Sequence, residues 1–173
     1  LLCDENSVSI YNDLEELPSD LPKESTVVLY PSENAVTLEQ FITSKKAPIS
    51  NNEVPAGEPV QHIIVLESTW SGAPKMAASP QLQHFTFIKL NEAFKRETMF
   101  WRHQTFGPGF LCTIESIHQI CLEYDALHLG APGKPSRNYD ILLFFFVIGY
   151  RKVINFYAAN KDLLHPIWWQ CSN

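Results

Sequence analysis

The sequence predicts an α/β fold with a mostly parallel sheet flanked by helices, and two observations lead to that prediction. Residues 60–66 form a near-continuous run of β-branched and aliphatic side chains that ends in polar residues. Such a run is typical of a strand buried on both faces, as strands inside parallel sheets are. Side chains capable of chemistry follow it directly, and in open α/β sheets ligands bind just beyond the carboxyl ends of the strands. The same stretch therefore predicts a buried strand and the place of a site.

The length and composition indicate one globular domain with its own core. The 173 residues are 45% hydrophobic and 18% charged, which excludes an intrinsically disordered chain. No window approaches the roughly 18 apolar residues that a membrane span needs, so the apolar run at residues 141–150 is predicted to be a buried core segment. No signal-peptide pattern opens the chain. We therefore expect an intracellular protein of the nucleus or cytoplasm, without membrane contact.

The four cysteines do not predict a metal site. They are Cys3, Cys112, Cys121 and Cys171, and no two of them have the Cys-x-x-Cys spacing of a zinc site. Reduced thiols of an intracellular protein are the expected state. We expect a monomer that carries no metal ion.

The net charge of −6 is concentrated at one end of the chain. Residues 1–24 hold seven acids and one base, so the rest of the chain is neutral. Residues 75–102 carry five bases and two acids, which allows a local basic face. Charge alone does not demand a nucleic-acid partner.

The predicted organisation is an acidic and loosely attached N-terminal arm at residues 1–24, a main domain at 25–160 and a short aromatic tail at 161–173. Thr37 and Gln40 have the spacing of a capping box, in which each side chain bonds the other residue's backbone amide at a helix start. Residues 138–157 are predicted to form a largely buried helix, although a strand is the alternative for so apolar a segment. The other predicted strands and helices are, in order, strand 25–30, a helix to about residue 46, strand 60–66, a short helix within 75–83, strand 84–90 and helix 113–128.

Two motifs give the sequence a family likeness. The first is Glu67-Ser68-Thr69-Trp70, at the end of the 60–66 run, and the second is Leu111-Cys112-Thr113-Ile114-Glu115-Ser116. They resemble the motifs of the DTW-domain family, which is named for Asp-x-Thr-Trp at a strand end and carries a Leu-Ser-Thr-x-Glu-Ala-like helix start. Residues 28–33 and 100–104 also resemble family blocks, so the likeness runs from about residue 27 to residue 145.

The resemblance implies an activity, a donor, a partner and a fold. The activity would be transfer of the aminocarboxypropyl group of S-adenosylmethionine to a uridine nitrogen in tRNA. The fold would be SPOUT-like, with a trefoil knot at the cofactor site. True knots are rare, so pattern reasoning alone would not propose one.

The resemblance places catalysis on Glu67, Thr69 and Trp70. Glu67 would take the proton that the uridine nitrogen loses, although the family carries the shorter Asp there. Thr69 would bind the substrate or hold the loop, and Trp70 would stack on a base or fill the core. A surface acid after a buried strand is the alternative for Glu67.

The cofactor and RNA residues follow from the remaining motifs. The family's serine is replaced by Cys112, a poor helix cap, so we expect Thr113 to take over as the cap. The helix amides would face the cofactor, unless this is an ordinary helix start. The expected cofactor-binding residues are Tyr30, Pro31, Leu66, Leu111, Cys112, Thr113 and Glu115, and the expected RNA-binding residues are Lys75, Lys95, Arg96, Trp101, Arg102 and His103.

Two alternatives belong to other functional classes. A catalytically weakened RNA-binding relative is favoured by Glu67 and Cys112, which depart from the family residues. An unrelated α/β hydrolase is disfavoured because the chain has no Gly-x-Ser-x-Gly elbow.

Overall fold

The structure, a computed structural model, describes residues 9–45, 59–69, 71–94, 98–100, 111–129 and 139–160. Within these ranges four strands form one sheet in the order β2-β4-β1-β3, and every pairing is parallel. The parallel sheet predicted from the sequence is therefore confirmed. The strands are β1 (Thr26–Leu29), β2 (Val36–Thr37), β3 (His62–Val65) and β4 (Thr86–Lys89).

Strand β1 is the centre of the sheet, and all four of its residues are buried. It pairs with β3 on one side, where Leu29 lies opposite Val65, and with β4 on the other, where Leu29 lies opposite Ile88. The Tyr30 amide extends the ladder by donating to the Ile88 carbonyl at 2.9 Å. Because side chains alternate along a strand, β1 supplies apolar residues to both faces of the sheet.

Two helices cover one face of the sheet. They are α1 (Leu38–Lys45) and α3 (Thr113–Leu129). Both present apolar residues to the strands, and Leu38 and Ile120 are at most 2% exposed. The buried cluster on this face comprises Val27, Leu29, Leu38, Phe41, Ile42, Val60, Ile88 and Ile120.

The acidic arm and the segment before β4 cover the other face. Val28, Leu82 and Phe85 form the buried cluster there. Leu14, Leu17 and Leu21 of the arm pack against it, and a 3-10 helix at Leu14–Glu16 carries the first of them. This part of the arm is thus attached by apolar burial, with its acidic side chains at the surface.

The predicted capping box at the start of α1 is confirmed. The Thr37 amide donates to Gln40 Oε1 at 2.9 Å, and the Gln40 amide donates to Thr37 Oγ1 at 3.2 Å. Both bonds satisfy amides that the helix itself leaves without a partner. Strand β2 ends at the first of these residues, so the capping box turns the chain from strand into helix.

The short helix predicted within residues 75–83 begins slightly earlier, as α2 (Ala73–Ala77), with Pro74 in its first turn. This is the helix position that tolerates proline, because the amide there needs no partner. The strand predicted for residues 84–90 is confirmed as β4, which is shorter at both ends.

The prediction for the last helix is correct in secondary-structure type and wrong in burial. The segment forms a 3-10 helix (Tyr139–Leu143) followed by α4 (Phe144–Ala159), and no residue of α4 is buried. Phe144 and Phe145 are 57% and 80% exposed. Apolar composition predicts that a helix packs against a neighbouring element, but it does not identify that element.

The same segment contradicts the expectation that no window of the chain is apolar enough to span a membrane. Tyr139–Ala159 has 21 residues, and an 18-residue window within it has a mean hydropathy of 1.5, enough to cross a membrane by length and composition alone. The sequence reading ended the apolar run at residue 150, before Arg151 and Lys152, whereas the helix continues beyond these two charges. A single such helix is weak evidence for a membrane span.

Helix α3 also carries a buried carboxylate at Glu123, which is 3% exposed. Glu123 Oε1 accepts from the Asn91 amide at 3.0 Å and from Gln119 Nε2 at 3.5 Å. Burial raises the pKa of Glu123, and the two hydrogen bonds oppose that rise. The bond to Asn91 ties the chain just after β4 to the middle of α3.

Replacing Glu123 with Gln should reduce the loss of stability that accompanies a rise in pH above the unfolded-state pKa of this carboxyl, 4.5. The folded state holds the Glu123 proton to higher pH than the unfolded state does, because burial raises the folded-state pKa. The wild type therefore loses stability as pH rises from the unfolded-state pKa through the folded-state pKa, while Gln keeps the acceptor and cannot ionise. Urea unfolding at several pH values measures this, with the exposed Glu39→Gln as control. An unchanged pH dependence in Glu123→Gln would contradict the assignment.

Candidate active site

The carboxyl ends of β1, β3 and β4 lie side by side and form the candidate site. The strand register places Tyr30 between Leu66, which follows β3, and Lys89 at the end of β4. The chain places β3 on one side of β1 and β4 on the other, so the strand order reverses at β1. In open α/β sheets the crevice at such a reversal is the usual ligand site. The structure thus brings Tyr30, Pro31, Leu66 and Glu67 to the carboxyl ends of the strands, which we call the carboxyl edge of the sheet.

Tyr30 and Leu66 form the apolar floor of this edge. Both are half-buried and pack against the cluster around Val28. The Tyr30 ring meets Phe87 edge to face, with centroids 6.4 Å apart. Pro31 is exposed beside them. These residues offer a ligand an apolar surface with an open side.

Glu67 is exposed at the end of the β3 segment. Within the described part of the chain, no residue forms a hydrogen bond or ion pair with it. Its carboxylate is therefore open to a substrate proton, which is the property that a general base requires.

Thr69 holds the turn that connects this edge to α2. Its hydroxyl accepts from the Gly72 amide at 3.1 Å and contacts Ser71 Oγ at 3.3 Å. Its carbonyl accepts from the amides of Gly72 and Ala73, each at 2.9 Å. A Cβ on Gly72 would lie too close to Ser68 Oγ and near Thr69 Oγ1, so a larger residue here would displace these side chains. Of the two roles considered for Thr69, the contacts support holding the loop.

Helix α3 begins with a capping box in which cysteine is the cap. The Cys112 amide donates to Glu115 Oε2 at 2.9 Å, and the Cys112 carbonyl accepts from the Ser116 amide at 2.9 Å. The expectation that Thr113 takes over as the cap is therefore wrong. The reason is geometric, because the Glu115 side chain reaches back three residues and fixes Cys112 as the cap.

The Cys112 thiol is neutral at physiological pH. Burial raises its pKa to about 12, and the Glu115 carboxylate adds to the rise. The backbone amides of Glu115 and Ile114 bond to the sulfur and only partly offset it. Because thiolate is the reactive form of cysteine, Cys112 serves as a helix cap here and not as a nucleophile.

Glu115 is 8% exposed and accepts hydrogen bonds from three protein donors. Besides the Cys112 amide, it accepts from Thr98 Oγ1 at 2.8 Å and from the Met99 amide at 2.7 Å. Sequence reasoning assigned Glu115 to the cofactor and missed Thr98 and Met99. No local pattern signals these partners, since 17 residues separate Thr98 from Glu115.

The expected site residues fall into two groups and a remainder. One group lies at the sheet edge and the other, Leu111 to Glu115, at the start of α3. No hydrogen bond or ion pair between described residues joins the two groups. Lys75 is exposed on α2. Outside the described residues lie Trp70, Lys95, Arg96, Trp101, Arg102 and His103.

A separate cavity of about 190 Å³ lies between α1 and α3, near the end of β4. Glu39, Asn91, Glu123, Ala126 and Leu127 line it. None of the residues expected at the site contributes to this cavity. In the described ranges, no group of three or more His, Cys, Asp or Glu side chains is arranged to hold a metal ion.

Replacing Cys112 with Ser should raise the free energy of unfolding by roughly 0.5–1 kcal/mol, since serine is a preferred N-cap and sulfur a weak acceptor. Urea unfolding at neutral pH measures the change. Cys121→Ser, in the interior of the same helix, is the matched control and should give no gain. Equal or lower stability of Cys112→Ser would show that the thiol does not act as the cap.

Comparison with known proteins agrees with these motifs. The family model described as the DTW domain matches residues 4–154. The chain is 33% identical over 149 residues to tRNA-uridine aminocarboxypropyltransferase 1 of Xenopus laevis. That alignment covers 86% of this chain and 46% of the relative, so the chain spans about half the relative's length. No solved structure matches the chain. The extent of the domain match shows that the chain belongs to the DTW-domain family.

Proposed function

We propose that the chain transfers the 3-amino-3-carboxypropyl group from S-adenosylmethionine to a uridine base nitrogen in tRNA. The observation that carries the proposal is the exposed carboxylate of Glu67, which has no partner among the described residues and lies at the strand end that carries the family motif. Membership of the family and the name of the Xenopus relative support the substrate and the donor.

The residues at the edge fit a donor that has an apolar body and a charged amino-acid end. Tyr30, Leu66 and Pro31 offer apolar surface to the body. The cap at Cys112 uses the amides of Ile114 and Glu115. Among the described residues no backbone acceptor bonds the Thr113 amide, and a helix-start amide suits a carboxylate. We therefore propose that these two groups of residues hold S-adenosylmethionine between them.

The proposed step requires one proton acceptor from the protein. The uridine nitrogen bonds to the methylene carbon beside the sulfonium as the carbon–sulfur bond breaks, and methylthioadenosine leaves with the bonding electron pair. Glu67 takes the proton that the nitrogen gives up. Thr69 acts as a positioning residue, because its bonds to Gly72 fix the loop that starts at Glu67. A displacement of this loop would misalign the acceptor.

We propose that tRNA approaches over the segments on either side of Thr98. Lys95, Arg96, Trp101, Arg102 and His103 combine charges for phosphates with a ring for an unstacked base. Lys75 adds an exposed charge on α2.

We further propose that the domain is SPOUT-like and has a trefoil knot at the cofactor site. An all-parallel sheet whose order reverses at β1 supports the first part, together with family membership. Crystallography of the protein with S-adenosylmethionine would test the knot, because it would trace the chain through the cofactor site.

A catalytically weakened RNA-binding relative is the second candidate. Glu67 favours it, because the family's Asp is one methylene shorter. Cys112 no longer favours it, since the cysteine still caps α3 and Glu115 keeps its place. The departure at Glu67 is therefore the remaining reason to consider this candidate.

Replacing Glu67 with Gln should preserve folding and donor binding and lower transfer by roughly 100-fold or more, as expected for the loss of a general base. Glu67→Asp is the matched variant, and it should keep or raise activity because it restores the family residue. Single-turnover transfer to tRNA, followed by nucleoside mass spectrometry, measures both. If both variants match the wild type, Glu67 is not the proton acceptor. Transfer by the Asp variant alone would favour the second candidate.

Replacing Arg102 with Ala should weaken tRNA binding and reduce its dependence on salt, because a phosphate contact releases counterions. Binding isotherms at several salt concentrations give the slope. Lys23→Ala, a substitution of an exposed base in the acidic arm, is the control and should leave the slope unchanged. An unchanged slope and affinity in Arg102→Ala would place the RNA surface elsewhere.

A further inference from the structure

We propose that Glu115 is a positioning residue that couples donor binding to tRNA binding. The inference rests on the proposed function and adds a link between its two substrates. It replaces the expectation that Glu115 contacts the cofactor directly.

One carboxylate joins two segments that are distant in sequence. Glu115 Oε2 accepts from the Cys112 amide at 2.9 Å and from Thr98 Oγ1 at 2.8 Å. Glu115 Oε1 accepts from the Met99 amide at 2.7 Å. The helix start proposed to meet the donor is thereby bonded to the segment proposed to lead into the RNA contacts.

The three hydrogen bonds to Glu115 are charge-assisted. Bonds to a carboxylate are shorter and stronger than those between neutral groups, and burial strengthens them further. The side chain is 8% exposed and has three protein donors. A substrate therefore acts on Glu115 through the segments it holds and not by touching it.

The link continues past Glu115 on the RNA side. Thr98 Oγ1 donates to Glu115 and accepts from the Phe100 amide at 3.0 Å. Phe100 immediately precedes Trp101 and Arg102, which are proposed to contact tRNA. A ligand that fixes residues at either end of this chain of hydrogen bonds lowers the entropic cost of ordering residues at the other end. The two ligands should therefore bind cooperatively.

Thr98 allows the link to be cut without removing the helix cap. Thr98→Val replaces the hydroxyl with a methyl group of similar size and leaves the bonds from Cys112 and Met99 to Glu115 in place. Thr98→Ser is the matched control, because it keeps the hydroxyl and loses only a methyl group. A purely structural role for Thr98 would lower stability without selectively removing cooperativity.

The test measures tRNA affinity with and without saturating S-adenosylhomocysteine, a thioether that keeps the amino-acid end of the donor and is not transferred. In the wild type and in Thr98→Ser, the nucleoside should tighten tRNA binding by at least about 5-fold, the lower range of measured couplings. In Thr98→Val that factor should fall towards one, while the nucleoside affinity without tRNA stays within about 2-fold of the wild type.

The outcomes separate the inference from the proposed function. If the wild type binds both ligands without cooperativity, or if Thr98→Val keeps the full factor, the coupling role is overturned and the proposed function stands. If the wild type binds neither ligand, the proposed function fails and the inference fails with it.

Discussion

Burial of β1 on both faces is the constraint on which the rest of the structure depends. Its four residues are inaccessible to solvent or nearly so, and a parallel sheet of this kind is stable only when both faces are covered. Helices α1 and α3 cover one face, and leucines of the acidic arm help to cover the other. Leu14, Leu17 and Leu21 of the arm therefore contribute to the packing of this second face.

The same constraint positions the candidate site. Since β1 is held at the centre, its carboxyl end opens between the ends of β3 and β4. Tyr30 and Leu66 remain partly buried there, while Glu67 projects into solvent. Rigid strands thus fix the apolar part of the edge, and the turn held by Thr69 begins two residues after the acid. A transferase needs that combination, because alignment of donor, nitrogen and proton acceptor determines its rate.

The capping box of α1 is set by nearby residues and could be predicted from the sequence, whereas features set by distant partners could not. The Thr37–Gln40 capping box depends on residues three positions apart, and both of its bonds are present. The bond between Thr98 and Glu115 spans 17 residues and leaves no trace in local periodicity. Exposure of α4 escaped prediction for a related reason, since composition describes a helix and not what packs against it.

The central claim is that the carboxyl edge of the sheet holds S-adenosylmethionine together with the start of α3. Hydrogen–deuterium exchange with and without saturating S-adenosylmethionine tests it most directly, because bound ligand slows amide exchange where it packs or rigidifies the chain. Slower exchange at Tyr30, Glu67 and Thr113, with no change at the opposite sheet edge near Thr26 and His62, is the predicted result. Protection confined to that opposite edge, or absent from all three amides, would contradict the account.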